Sequence, residues 1–309
     1  MKIYRDLVSL SLRSPTCLAL GAFDGVHLGH QAVLGRTLTA ARRRGLRAIA
    51  ITFDPDPALF FSPGKAPPLL TTTEEKLALF RQQGLDAAVV ARFDAGFAAI
   101  EAEEFVRRFL VRRLGGQVVV IGSDWRFGRQ ARGDAKLLSR LGRELGFRAL
   151  LVAPLRRGGA AVSSTRIRRL LSLGRAKQAA ALLGRPYGLE GKVVPGAGRG
   201  RGLGFPTANL APEPRKALPA DGVYACRARL PAALGTGWPA VTSIGTRPTF
   251  GGGERTIEVH VLDRDLRLRG KRLRVEFLAR LRGQRSFPGP AALKAQMARD
   301  CARARKLLG

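Results

Sequence analysis

The spacing of apolar runs changes once along this chain, and that change constrains the fold more than any other feature. Runs rich in Val, Ile, Leu or Phe recur at Thr16–Gly21, Arg47–Phe53, Asp86–Phe93, Gln117–Gly122 and Phe147–Ala153, each separated by enough chain for a crossover helix. This pattern predicts a parallel α/β sheet. One helix is expected from His30 to Arg44, stopped by Gly45, and another from Ala102 to Leu114, ended by Gly115-Gly116. From Ser164 the pattern reads helical through Leu183, and Gly184-Arg185-Pro186 breaks it. Beyond the break, shorter spacings separate Tyr187–Val194, Val223–Leu230, Ala240–Ile244, Thr256–Leu262 and Arg272–Leu278, with a closing helix at Pro290–Leu308. Such spacing predicts a small antiparallel barrel. Two domains are therefore expected, 1–184 and 185–309, which suits a chain of 309 residues.

Composition narrows the partners. Hydrophobic residues are 45% and charged residues 25%, so packed cores are affordable despite a formal charge of +31. The excess is spread evenly, with 30 basic and 14 acidic residues in 1–184 and 24 and 9 in 185–309. There is no detachable basic tail. Aromatic residues are only 6%, without the interleaving of a base-stacking surface, so a nucleic-acid partner is not expected. Cys17, Cys226 and Cys301 lie far apart and form no CxxC pair. No leader-like apolar stretch follows Met1, and no run approaches the roughly 18 apolar residues of a membrane span. A cytoplasmic protein with no membrane partner is the expectation.

Directly after the first strand comes Gly21-Ala-Phe-Asp-Gly-Val-His-Leu-Gly-His30, where a crossover helix should begin. Ligands of parallel sheets bind beyond the carboxyl ends of strands, and a helix N-terminus offers free N–H groups to phosphate. Gly21, Gly25 and Gly29 let the chain turn sharply beneath a nucleotide, and His27 and His30 can both face one triphosphate. A metal site of His27, His30 and Asp24 is the alternative. Neither a GxxxxGK[ST] sequence nor a strict GxGxxG occurs. Ser163, Ser164, Thr165, Arg166 and Arg168 stand at a second helix start, where hydroxyls and guanidinium forks suit phosphate oxygens or simply cap the helix.

GAFDGVHLGHQ resembles the HxGH signature of nucleotidylyltransferases, in the GxFDGxHxGHQ form of bacterial FAD synthetases. Further segments agree in order: ITFDPDP at 51–57, RFDAGFAAIEAEEFV at 92–106, IGSDWRFGRQARGD at 121–134 and VSSTRIR at 162–168. Trp125 stands where the family usually has Phe. The resemblance implies a Rossmann-like nucleotidylyltransferase domain. It also implies catalytic roles for His27 and His30, ATP contacts from Gly21, Phe23, Asp24, Gly25, Gly29, Ser163, Ser164, Thr165 and Arg166, and flavin contacts from Phe53, Pro55, Asp124 and Phe127.

In the second half, a glycine loop with two arginines, Gly196 to Gly204, leads into Phe205-Pro-Thr-Ala-Asn209. If Thr207 to Asn209 is extended, the hydroxyl and amide share a face and offer neutral oxygens of the kind Mg²⁺ accepts beside ATP phosphates. This segment is similar to the GxPTAN signature of riboflavin kinases, and DGVYACRARL, SIGTRPTFGGG and TIEVHVLDRD agree with it. The resemblance implies that Thr207 and Asn209 hold Mg²⁺, that Gly200 and Gly204 meet ATP, that Glu258 is the base, and that Arg282 and Phe287 contact flavin. Pro195, Ala197, Arg269 and Gln284 depart from the family pattern.

Together the two resemblances imply phosphorylation of riboflavin to FMN by the C-terminal barrel and adenylylation of FMN to FAD by the N-terminal domain. ATP would be co-substrate and Mg²⁺ the metal, with no tightly bound cofactor. The substitutions in the glycine loop leave open an adenylyltransferase whose barrel has lost its kinase activity.

Overall fold

The computed structural model describes residues 1–12, 14–196, 199–231, 235, 237–246, 255–264 and 266–309, without the side chains of Arg199 and Arg201. The chain divides into two compact units, Met1–Ser164 and Thr165–Gly309.

In the first unit, β1 (Lys2–Tyr4), β2 (Thr16–Leu20), β3 (Arg47–Asp54), β4 (Ala87–Arg92), β5 (Gly116–Gly122) and β6 (Arg148–Val152) form a parallel sheet in the order β1-β4-β3-β2-β5-β6. Both faces are covered, which is why these strands read as continuous apolar runs. Leu18 and Leu20 enter one core with Ile49, Ile51, Val119 and Ile121, under Phe105, Phe109, Leu138 and Leu141. Cys17 and Ala19 enter the other with Ala48, Ala50, Val118 and Val120, under Val33, Leu34, Leu77 and Phe80. The strand order reverses between β2 and β5, so the switch point lies where the histidine loop leaves β2.

The Leu28–Arg44 helix ends at Gly45 in the left-handed conformation (φ 64°), as its glycine predicts. The expected helix from Ala102 differs in winding: one turn, Ala102–Glu104, continues as a π-helical stretch at Phe105–Arg113. That stretch buries Phe105, Val106, Phe109 and Leu110. β1 is a largely exposed three-residue edge without an apolar run to betray it. A short hairpin of β7 (Arg156–Arg157) and β8 (Ala160–Ala161) follows β6.

The second unit is a closed antiparallel barrel of β9 (Tyr187–Val194), β10 (Ala208–Pro212), β11 (Gly222–Arg229), β12 (Trp238–Thr246), β13 (Arg255–Val261) and β14 (Arg272–Arg282), in the order β10-β13-β12-β11-β14-β9. The Pro290–Leu308 helix seals one side, packing Cys301, Ala304 and Leu308 with Val223, Ala225 and Leu281. β10 is absent from the sequence expectation because only Leu210 of its five residues is buried.

The compact units part at residue 164, twenty residues before the Gly184 break. The helical stretch is interrupted at Gly174 (φ 70°), giving helices Ser164–Ser172 and Ala176–Leu183. Both attach to the barrel: the Ala220 N–H donates to Leu171 carbonyl at 2.9 Å, and Gly174 lies against the Arg280 side chain. A Cβ at Gly174 would come within 2.8 Å of that arginine, so the close approach and the positive φ both call for glycine.

Candidate active sites

Each half of the histidine loop is held by a different device. His27 caps the Leu28–Arg44 helix, its Nδ1 accepting from the His30 N–H at 3.3 Å. The two imidazoles stack with centroids 3.6 Å apart and an interplanar angle of 17°. Gly29 permits this, since a Cβ there would sit 3.1 Å from His27 Cε1. His30 Nδ1 is buried and has no hydrogen-bond partner among the described residues, which leaves Nε2 as the ring nitrogen for a ligand. Burial holds His30 well below the ordinary imidazole value of 6.5, and the charges of His27 and Lys76 add to the effect.

Phe23, Gly25 and Val26 all have positive φ (53°, 84° and 39°), a strained sequence of the kind found at functional sites. Phe23 is buried beneath the loop, edge-on to both His30 and Phe80, and its ring fills the space a Cβ on Gly21 would need. Asp24 is buried too. Its carboxylate accepts from the Leu70 N–H (3.0 Å), the Thr71 N–H (2.9 Å) and the Thr71 hydroxyl (3.2 Å), while Thr71 Oγ1 accepts from the Gly25 N–H at 2.9 Å. Asp24 thus ties the loop to residues 70–71, and an ion shared with the histidines would have to displace those bonds. Among the described residues no group of three His, Cys, Asp or Glu is arranged to hold a metal. Ser164, the first residue of its helix, donates its hydroxyl to the Asp24 carbonyl at 2.9 Å. Ser163 precedes it, and Thr165 and Arg166 follow in the first turn.

An aromatic cavity of about 290 Å³ is lined by Ala22, Phe53, Pro57, Phe61, Phe93, Phe97, Ile100, Phe105, Trp125, Arg126 and Phe127, among others. Trp125 stacks on Phe127 (5.2 Å, 14°), so the substitution preserves an aromatic wall. Of the four residues expected to meet flavin, Phe53 and Phe127 line this cavity and Pro55 and Asp124 do not. Pro55 lies in the turn after β3, joined to Asp54 by a cis peptide, and Asp124 Oδ1 folds back over Gly122, 3.1 Å from where its Cβ would be.

Thr52, Thr71 and Lys76 belong to the loop's support but carry no signal in the sequence reading. The Lys76 amine donates to Thr52 Oγ1 (3.0 Å), which donates to the Ala22 carbonyl (3.0 Å). Thr72 and Glu75 close a capping box at the start of the Thr73–Gln83 helix, whose Lys76 is buried.

In the barrel, strand register does the assembling. Asn209 of β10 pairs with Glu258 of β13, which pairs with Ser243 of β12. Thr207 Oγ1 donates to Glu258 Oε2 at 3.4 Å, so hydroxyl, amide and carboxylate meet as the alternation along each strand requires. Gly196 lies under Asn209, where a Cβ would come within 1.8 Å of Nδ2, and Gly200 lies under Thr207 with 3.1 Å to Oγ1. Gly204 turns the chain with φ 85°. His260 Nδ1 donates to the Pro206 carbonyl at 2.8 Å and holds the peptide preceding Thr207.

A cavity of about 700 Å³ beside Thr207 and Asn209 is also lined by Pro195, Gly196, Arg264, Arg267 and Arg269. Arg264 and Arg267 escape the sequence reading, since nothing distinguishes them from the other arginines. Arg282 is paired with Asp300 at 2.8 Å, and the Phe287 ring lies under both Arg282 (5.6 Å) and Arg285 (5.3 Å). Ala197, the segment 247–254 of SIGTRPTFGGGE and Asp265 are outside the described residues.

One module carries a histidine loop at the sheet's switch point, and the other carries a hydroxyl, an amide and a carboxylate together on a closed barrel. The comparisons name the family. Residues 10–166 match the FAD synthetase family model and residues 183–308 the riboflavin kinase model. The chain is 38% identical to the bifunctional riboflavin kinase/FMN adenylyltransferase of Escherichia coli K12, over 100% of this chain and 98% of that protein. It is 37% identical to the protein of the same description from Pseudomonas fluorescens, over 99% and 98%. A crystal structure described as a macrolide-efflux protein from Streptococcus pneumoniae shares the fold with a TM-score of 0.88 at 29% identity, covering 98% of both chains. The chain belongs to the bifunctional riboflavin kinase/FMN adenylyltransferase family. It is a bifunctional enzyme of FAD biosynthesis, with its FAD synthetase module first and its riboflavin kinase module second.

Proposed function

We propose that the two reactions run at the two centres just described, with residues 1–184 as the adenylylating module and 185–309 as the kinase, in a cytoplasmic setting. Among the described residues no helix is long and apolar enough to cross a membrane.

In the kinase module, Glu258 takes the proton of the riboflavin 5′-hydroxyl as that oxygen attacks the γ-phosphorus of ATP and ADP leaves. Thr207 and Asn209 would hold Mg²⁺, and the donor chemistry fits: a hydroxyl and an amide oxygen beside a carboxylate, over glycines whose Cβ atoms would fill the cradle. When bound, the ion neutralises phosphate charge. Arg264, Arg267 and Arg269 supply cations along the same cavity. FMN and riboflavin are taken as flavins in the neighbourhood of Phe287, which Arg282 and Arg285 hold by cation–π contact.

In the adenylylating module, a phosphate oxygen of FMN attacks the α-phosphorus of ATP and the bond to pyrophosphate breaks. Positioning and charge stabilisation are the protein's contribution. His27 and His30 stand toward the phosphates, with Gly21, Gly25 and Gly29 giving the backbone access and Ser163 adding a hydroxyl before the second helix start. The aromatic cavity at Phe53, Trp125 and Phe127 suits an isoalloxazine ring.

The observation that carries this reading is the meeting of Thr207, Asn209 and Glu258 across β10 and β13. Incubation with riboflavin, ATP and Mg²⁺, followed by chromatography, is expected to give FMN and then FAD. FAD from supplied FMN but no product from riboflavin would remove the kinase assignment.

A further inference from the structure

Lys76 is a buried cation, 4% exposed, and no carboxylate comes within 4.0 Å of its amine among the described residues. It sits in the first turns of the Thr73–Gln83 helix, where the dipole opposes a positive charge. An ammonium carries three donors, and the hydroxyl of Thr52 is its hydrogen-bond acceptor here. Burying a charge on such terms is expensive, and a core packed for stability alone would hold an apolar residue at this position.

What surrounds Lys76 is the floor of the histidine loop. Thr52 links the amine to the carbonyl of Ala22, and Ala22 is at once the second residue of the loop and part of the aromatic cavity wall. Burial lowers the Lys76 amine from its ordinary value, and Asp24 in the loop, Asp56 and Asp54 after and at the end of β3, and Glu74 in the same helix oppose that by favouring the charged form. On the other side, Lys76 and His27 both act on His30.

We propose that Lys76 is a positioning residue of adenylyl transfer: a fixed cation beneath the loop that sets the Ala22 carbonyl through Thr52 and presents positive charge to His30 from below. The proposal rests on the reading that FMN is adenylylated at this loop. Its consequence is that His30 meets nucleotide as an uncharged donor, while the triphosphate meets a standing countercharge that requires no proton uptake. Lys76 acts through its neighbours and is not a catalytic residue.

Two readouts test this on the full-length chain. Only three histidines are present, His27, His30 and His260, so imidazole NMR resolves each after assignment by His→Gln variants. In Lys76→Met the His30 titration is expected to move up by about half a pH unit or more, since a unit charge across a protein interior of intermediate dielectric is worth that much. FAD formation from FMN should lose about tenfold or more in kcat with KM for FMN within about twofold, and its acid limb should rise with the His30 titration. Riboflavin phosphorylation in the same sample should be unchanged. Thr52→Val, which keeps the cation and cuts the tether, should lower kcat and leave the His30 titration in place. Where methionine is not tolerated, Lys76→Gln removes the charge while keeping a donor for Thr52. An unmoved His30 titration in either folded Lys76 variant overturns the proposal, as does an unaltered kcat. The NMR titration needs no turnover, so a wild-type protein that made no FAD would end the adenylyl-transfer reading and still leave Lys76 judged.

Discussion

The imidazoles of His27 and His30 lie face to face at 3.6 Å, inside a loop strained at Phe23 and Val26. Two rings so close do not carry two protons easily, and burial already disfavours charge on His30. The folded protein therefore takes up the His30 proton only well below 6.5, whereas the unfolded chain takes it up near 6.5. Between those values the unfolded state binds more protons, so the stability of this module falls as pH drops and is recovered above 6.5. The limit for one group is about 1.4 kcal/mol per pH unit. Thermal unfolding against pH should show this loss, and the acid limb of FAD formation should lie below 6.5.

Gly29 separates helix stability from catalysis. Alanine is favoured over glycine in a helix by about 1 kcal/mol, yet its Cβ at position 29 would stand 3.1 Å from His27 Cε1 and turn that ring. Gly29→Ala is expected to keep or raise the melting temperature while FAD formation falls by about 10- to 100-fold and riboflavin phosphorylation stays as it was. Kinetics of both reactions with calorimetry of the same variant check this.

Gly196→Ala is the counterpart in the barrel. Its Cβ would overlap the Asn209 amide, at 1.8 Å from Nδ2, and push it out of register with Glu258. Riboflavin phosphorylation should fall about tenfold or more and FAD formation from FMN should persist. Steady-state assays with each flavin separately decide it.

The three thiols should be silent. Burial pushes Cys17 and Cys226 up to about 12 and Cys301 to about 11, so little thiolate forms at neutral pH. Alkylation of the native protein at about pH 8 should label none of them, and unfolding should expose all three to mass-spectrometric detection.

The strands of the parallel sheet are legible because burial on both faces forces unbroken apolar runs, as at Ala48–Ile51 and Val118–Ile121. β10 is not, because Ala208 and Asn209 are only half-buried and its pairing with β9 and β13 is a tertiary event. The histidine loop can be read from its glycines and its place after a strand. Its support cannot: Asp24 reads as a ligand and turns to Leu70 and Thr71, while Lys76, buried beneath the loop, carries no signal in the sequence. Local pattern marks where a helix begins. Which side chain then lies inward depends on packing between segments 24 to 47 residues apart.

The central claim is that each reaction has its own centre. It is tested most directly by assaying His30→Ala and Glu258→Ala with riboflavin and with FMN as separate substrates. His30→Ala should convert riboflavin to FMN and stop there, and Glu258→Ala should leave riboflavin untouched and still make FAD from FMN. Loss of both activities in either folded variant would contradict the account.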